Sequence, residues 1–196
     1  MILSLQGCMA AGKTTAARYI ETHVPYVRIS QEDNRSVIEE IRSRRLIKTR
    51  YEDYLEIQKL WLEKEIKRWE KVKNAPCVLM DFGAEEIEFY TLHYPQTIGK
   101  DWEIEKPLKA ELEAVRRCFP DRILFLDAAD DVLRQRKEQD PVRSREFFEH
   151  YIKFLLPLKR EWFSKMDCVD VLNTNDLSRE ELGEQVKMWI DKQLMN

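Results

Sequence analysis

Residues 7–15 read Gly-Cys-Met-Ala-Ala-Gly-Lys-Thr-Thr, GCMAAGKTT, and their reading decides the fold. Gly7, Gly12, Lys13 and Thr14 occupy the fixed positions of the pattern G-x-x-x-x-G-K-[ST]. In that pattern small residues let backbone N–H groups curl around phosphate oxygens, the lysine reaches the outer phosphates, and the hydroxyl binds Mg²⁺. The pattern carries weight only between a strand and a helix. Here the apolar run Ile2-Leu3-Ser4-Leu5 precedes it and a helical pattern over 13–23, stopped by Pro25, follows it. Gly7, Cys8, Met9, Ala10, Ala11, Gly12, Lys13, Thr14 and Thr15 are therefore expected to cradle the phosphates of a nucleotide.

Outward from the loop, short apolar runs alternate with longer helical stretches. Strands are expected at Tyr26–Ile29, Cys77–Met80 ending on Asp81, Ile123–Leu126 ending on Asp127, and Cys168–Leu172. Helical patterns fill 35–73 (broken near Thr49-Arg50), 85–92, 105–118 and the flanks of 134–145. Leu55, Leu62, Ile66 and Trp69 fall on one helix face. Ser178 and Glu181 have the spacing of a capping box for a closing helix. Strands apolar throughout, separated by helices, imply a parallel sheet covered on both faces. The expected fold is α/β: three layers, α/β/α, around a parallel sheet of about five strands, in one domain spanning 1–196.

The 196 residues carry a net charge of −3 and 35% charged residues, which argues against a main task of coating nucleic acid. Cys8, Cys77, Cys118 and Cys168 show no C-x-x-C spacing, fitting a reducing compartment without a zinc site or disulfide framework. No apolar run approaches a bilayer span and the opening residues lack signal-peptide features, so a cytoplasmic chain is expected. Glu149, Tyr151, Phe154, Leu155, Leu158 and Trp162 form an apolar helical stripe, either core or the seam of a possible homodimer.

The other signatures of nucleotide hydrolases are missing. Asp81-Phe82-Gly83-Ala84 places glycine one position too early for the D-x-x-G of a GTPase. In Asn173-Thr174-Asn175-Asp176, threonine replaces the lysine of N-K-x-D. Asp-Phe-Gly without a V-A-I-K strand or an H-R-D loop does not indicate a protein kinase. A chain of this length is not expected to house the extra domains of a ring or transport ATPase. With its phosphate loop, strand-end acids and arginine-rich segment, the chain resembles the nucleoside and nucleotide kinase group of P-loop proteins. That group includes deoxynucleoside kinases and thymidylate kinase and, more distantly, shikimate kinase and chloramphenicol phosphotransferase.

The resemblance implies an ATP-dependent, Mg²⁺-requiring phosphotransferase. Asp81, with Thr14, would hold Mg²⁺, and Asp81 or Glu32 would prepare the acceptor hydroxyl. Asp33 is the next candidate base, and Ser30–Arg35 reads equally well as a helix cap. Deoxynucleoside kinases usually follow the strand-end acid with arginine, where this chain has Phe82. Residues 134–145 look like a lid, with Arg134, Arg143 and Arg145 closing on the transferring phosphoryl group and Arg136 a weaker candidate. Arg42, Arg44, Arg45, Lys48 and Arg50 form a second basic cluster, read as a solvated helix end. The acceptor is expected to be a small molecule, first a nucleoside or nucleoside monophosphate. An antibiotic or sugar-like acceptor is the alternative, and a non-catalytic ATP-binding regulator is the reading from another class.

Overall fold

The structure, a computed structural model, describes residues 1–139 and 145–195, with Arg145 described by its backbone alone. Five strands alternate with helices: β1 (Ile2–Gly7), α1 (Lys13–His23), β2 (Arg28–Ser30), α2 (Arg35–Ser43), α3 (Tyr51–Glu70), β3 (Val78–Asp81), α4 (Ala84–Thr97) and α5 (Lys109–Arg116). There follow β4 (Arg122–Asp127), α6 (Asp130–Glu138), α7 (Arg145–His150), a π-helical stretch (Tyr151–Leu155), α8 (Leu156–Ser164), β5 (Val169–Asn173) and α9 (Arg179–Met195).

The strands form one sheet in the order β2-β3-β1-β4-β5, and each neighbouring pair is parallel. Helices flank the sheet: α1 packs on α9, while α3, α4 and α5 pack on one another. This is the expected three-layer α/β fold. Its topology sends Gly7, Ser30, Asp81 and Asp127 to one carboxyl edge, where ligands of open α/β sheets bind. β1 is buried along its whole length, and β3 and β4 are buried except at their ends. β5 lies at the edge with Val171 66% exposed, so the pattern of all-buried strands fails there.

Several element boundaries differ from the expectation. Val27 N–H bonds to Val24 O, so Val24–Val27 forms a turn and β2 begins at Arg28. α4 continues through Pro95 to Thr97, and α5 is shorter than the pattern suggested. The inward face of α3 carries Tyr54, Ile57, Gln58, Leu62, Glu65 and Arg68; Leu55, Ile66 and Trp69 pack only partly buried at its margins. The helix is turned toward a polar network that hydropathy does not reveal. The capping box forms as expected, with Glu181 N–H donating to Ser178 Oγ (3.2 Å) and Ser178 N–H to Glu181 Oε2 (2.8 Å). Among the described residues no helix is long and apolar enough to cross a membrane.

Candidate active site

The loop between β1 and α1 takes its shape from three positive φ angles, at Gly7 (+133°), Ala10 (+64°) and Gly12 (+105°). A Cβ at Gly7 would lie 2.2 Å from Leu126 O, so the close approach of β4 adds a second requirement for glycine there. Lys13 Nζ folds along the loop and donates to Gly7 O (3.0 Å) and Cys8 O (2.9 Å). Burial lowers its pKa, the neighbouring Lys159 lowers it further, and Asp81 and Glu86 work against both. Burial pushes the Cys8 thiol up to about 11, which leaves it a small, protonated wall residue.

Thr14 Oγ1 donates to Asp81 Oδ2 at 3.0 Å. The hydroxyl comes from the first turn of α1 and the carboxylate from the end of β3. Two hard oxygen ligands side by side at a phosphate loop suit Mg²⁺, which favours such ligands together with water and phosphate oxygens. Among the described residues no cluster of three or more His, Cys, Asp or Glu side chains could hold a metal ion by itself. A loop with this cradle and this oxygen pair fits a nucleotide phosphate with its Mg²⁺.

Beyond β2, Asn34 Nδ2 donates to Glu32 Oε1, and Lys64 Nζ donates to Asn34 Oδ1. Asp33 accepts from both the backbone and the guanidinium of Arg35, which holds its carboxyl well below the usual range. Asp33 thus supports the start of α2, while Glu32 remains half-buried next to Lys64. Arg68 on α3 ties this loop to the strand-end acid. Its guanidinium donates to Ser30 Oγ (3.0 Å), Ser30 O, Phe82 O (2.9 Å) and Asp81 O (3.4 Å), and it pairs with Glu65 (3.1 Å). Phe82 has φ +44°, and its carbonyl is held by this contact. An arginine from α3 therefore serves the Asp81 segment, although none follows Asp81 in sequence.

The loop after β5 lies against the other side of the phosphate loop. Thr174 is buried, its hydroxyl donates to Asp127 O (3.2 Å), and Asn175 Oδ1 accepts from Ala129 N–H (2.8 Å). Arg136 donates to Thr174 Oγ1 (3.0 Å) and to the carbonyls of Thr174 and Asn175. Arg134 is engaged with Glu149 on α7 (3.1 Å) and lines a cleft of about 470 Å³ that includes no loop residue. The structure thus brings Lys13, Thr14 and Asp81 together but does not bring Arg134 to them. Arg143 and the side chain of Arg145 lie outside the described residues.

Besides Arg68, three features escaped or departed from the sequence reading. Lys159, only 1% exposed, donates to Gly7 O (3.2 Å) and Tyr151 OH (3.3 Å) and pairs with Glu86 on the first turn of α4. Tyr151, Leu155, Lys159 and Phe163 recur at four-residue steps and are all buried. A lysine within that apolar row was the available signal. The π-helical stretch turns the helix so that Phe154, expected in the stripe, is 41% exposed. The third is Lys48, whose ammonium lies 3.5 Å from the Tyr94 ring centroid and 4.8 Å from that of Tyr90, and burial lowers its pKa to about 8. It is set apart from Arg42, Arg45 and Arg50, which are exposed as a solvated run should be. Tyr54 and Phe89 are wholly buried core.

Comparison with known proteins bears on the family and the fold. A family model described as AAA domain matches residues 3–164. No curated protein matches the chain. Among solved structures, deoxyadenosine kinase from M. mycoides with bound dATP superposes with a TM-score of 0.75 at 16% identity, covering 97% of this chain and 100% of that one. Its dCTP-bound form gives 0.70 at 14% identity, over 98% and 100% of the two chains. Thymidylate kinase from Candida albicans gives 0.69 at 11% identity, over 98% and 91%. At these identities the likeness concerns the fold, and the fold is that of P-loop nucleoside and nucleotide kinases.

Proposed function

This chain belongs to the AAA-domain family, and on that footing we propose that it is an ATP-dependent phosphotransferase. It would move the γ-phosphate of ATP to a small hydroxyl or phosphate acceptor, first a nucleoside or nucleoside monophosphate. The observation that carries the reading is the Thr14–Asp81 contact at the mouth of the phosphate loop, with Lys13 beside it.

In this reading the N–H groups of residues 7–15 hold the β- and γ-phosphates, and Lys13 balances the charge that develops as the bond to ADP breaks. Thr14 and Asp81 would hold Mg²⁺, which when bound would neutralise charge on the phosphates. The acceptor oxygen bonds to phosphorus as its proton passes to Glu32 or Asp81. Arg68 keeps those two carboxylates in register by tying Ser30 to the Asp81 segment. Arg134, Arg143 and Arg145 close on the phosphoryl group, for which Arg134 must leave Glu149. Positioning and charge suffice, without a covalent intermediate.

A second reading for the acceptor, a polar antibiotic or sugar-like molecule, draws support from Lys48, whose ammonium covers the Tyr94 ring and donates to the Tyr90 hydroxyl, so that this aromatic pair presents a polar cation. Incubation with labelled ATP and a panel of nucleosides, nucleoside monophosphates, sugars and aminoglycosides separates these. Transfer to the first two classes supports the first reading, and transfer only to the others supports the second. Nucleotide binding with no transfer to any acceptor would make the chain an ATP-binding regulator.

A further inference from the structure

Two ammonium groups converge on a single carbonyl oxygen at the start of the phosphate loop. Lys13 Nζ donates to Gly7 O at 3.0 Å and Lys159 Nζ donates to the same oxygen at 3.2 Å, from a helix 152 residues further along the chain. Bonded to one oxygen, the two cations are held within a few ångströms of each other. Glu86 and the Tyr151 hydroxyl also contact Lys159, with the Phe89 and Phe163 rings beside it. Asp81 and Glu86 are the anions close enough to act on Lys13.

This arrangement is poor as a structural device. A buried ion pair gives up much of its attraction to desolvation, and an apolar pair of similar volume often serves a fold as well. Tyr151, Leu155 and Phe163 in the same row are buried, so packing alone gives no reason for a lysine at 159. Placing a second cation against Lys13 adds like-charge repulsion, which an anion entering between the two would relieve. Lys13 already marks where the outer phosphates of a nucleotide rest. A flexible four-carbon stem with a compact charge suits a group that must change partners.

We propose that Lys159 is a second phosphate-binding cation of this site, specific for the terminal phosphate of a nucleoside triphosphate. Glu86, its observed partner, gives it up when the γ-phosphate arrives. The inference rests on the phosphotransferase reading for the place of the donor, but it concerns which residue senses the third phosphate. It supplies charge from a residue built into the helix after 134–145, independent of the arginines within that segment.

The test compares the affinities of Mg-ADP and of the magnesium complex of β,γ-imido-ATP, measured by calorimetry on the full chain. Lys159→Met is expected to weaken the imido-ATP complex by about tenfold or more, the worth of one charge-assisted contact, while ADP affinity changes by less than about twofold. Should the lone Glu86 carboxylate keep Lys159→Met from folding, the double variant Lys159→Met/Glu86→Leu removes both charges, and the same ratio is read on it. Equal weakening of both nucleotides, or no change in either, overturns the proposal. A wild-type chain that discriminates ATP from ADP through Lys159 yet transfers phosphate to no acceptor would remove the kinase reading and leave this one standing.

Discussion

The Thr14 hydroxyl donates to the Asp81 carboxylate across 3.0 Å, joining the first turn of α1 to the end of β3. The two residues are 67 positions apart, and only a parallel sheet with β3 next to β1 sets them side by side. Asp81→Asn preserves size and the ability to accept from Thr14 but removes the charge. Turnover is expected to fall about a hundredfold, with the Mg²⁺ concentration for half-maximal activity raised. Mg²⁺ titrations of the labelled-ATP assay check it. A variant with unchanged Mg²⁺ dependence would show that Asp81 is not a metal ligand.

Gly7 and Gly99 make a matched pair of substitutions. Both have positive φ, +133° and +70°, but a Cβ at Gly7 meets the Leu126 carbonyl at 2.2 Å while one at Gly99 meets nothing within 4 Å. Gly99→Ala is expected to lose only backbone strain, about 1 kcal/mol. Gly7→Ala must also displace β4, and is expected to lose about 2 kcal/mol or more together with nucleotide affinity. Chemical denaturation of the two variants compares them directly, and equal losses would contradict the close packing of β1 on β4.

What could be read in advance was local. Gly7 to Thr15 is contiguous, and its function needs only a strand before and a helix after. Asp81 was legible because a strand-end acid in a parallel sheet has one edge to occupy. Lys159 was not, since its meaning depends on Gly7 at the far end of the chain, although a lysine in a four-residue apolar row was a usable sign. Arg68 was hidden for a similar reason: an arginine after Asp81 would have been visible, but one arriving from α3 is brought there only by tertiary packing. The face of α3 was misjudged by about one residue because Gln58, Glu65 and Arg68 are buried for their hydrogen bonds, which hydropathy counts against burial.

Arg68→Met tests that packing. The change leaves the Glu65 carboxylate, 0% exposed, without its partner, and frees Ser30, Asp81 and Phe82. A loss of about 3–5 kcal/mol is expected, the usual result of stranding one member of a buried pair. Arg68→Lys is expected to rescue little, because one ammonium cannot reproduce a fork that reaches β2 and β3 together. Arg68→Met/Glu65→Leu should recover most of the stability but not the activity, since the strand ends are no longer tied. Recovery of both would show that Arg68 is needed only to neutralise Glu65.

Glu85 provides a pH signature of the core. It is wholly buried, and Ser4 Oγ, Gln6 Nε2 (2.6 Å) and Gly83 N–H (3.1 Å) all donate to its Oε1, while Oε2 has no hydrogen-bond partner among the described residues. Burial pushes its carboxyl up from the ordinary 4.5, the donors from Ser4 and Gln6 pull it back, and the charge of Glu65 pushes it further up. The native chain therefore keeps a proton that the unfolded chain releases above about pH 4.5. Where the native state binds more protons, stability falls as pH rises. The contribution of Glu85 is thus fully present below that pH and is lost as pH climbs through the raised native value. Glu85→Gln cannot ionise, and its Oε1 can accept the same three donors. Urea denaturation of both proteins from about pH 5 to 8 should show the wild type losing stability relative to Glu85→Gln as pH rises, the loss levelling off once pH passes the raised native value. Parallel curves would mean that the buried carboxyl ionises at its ordinary pH, and that the donors around Oε1 outweigh burial.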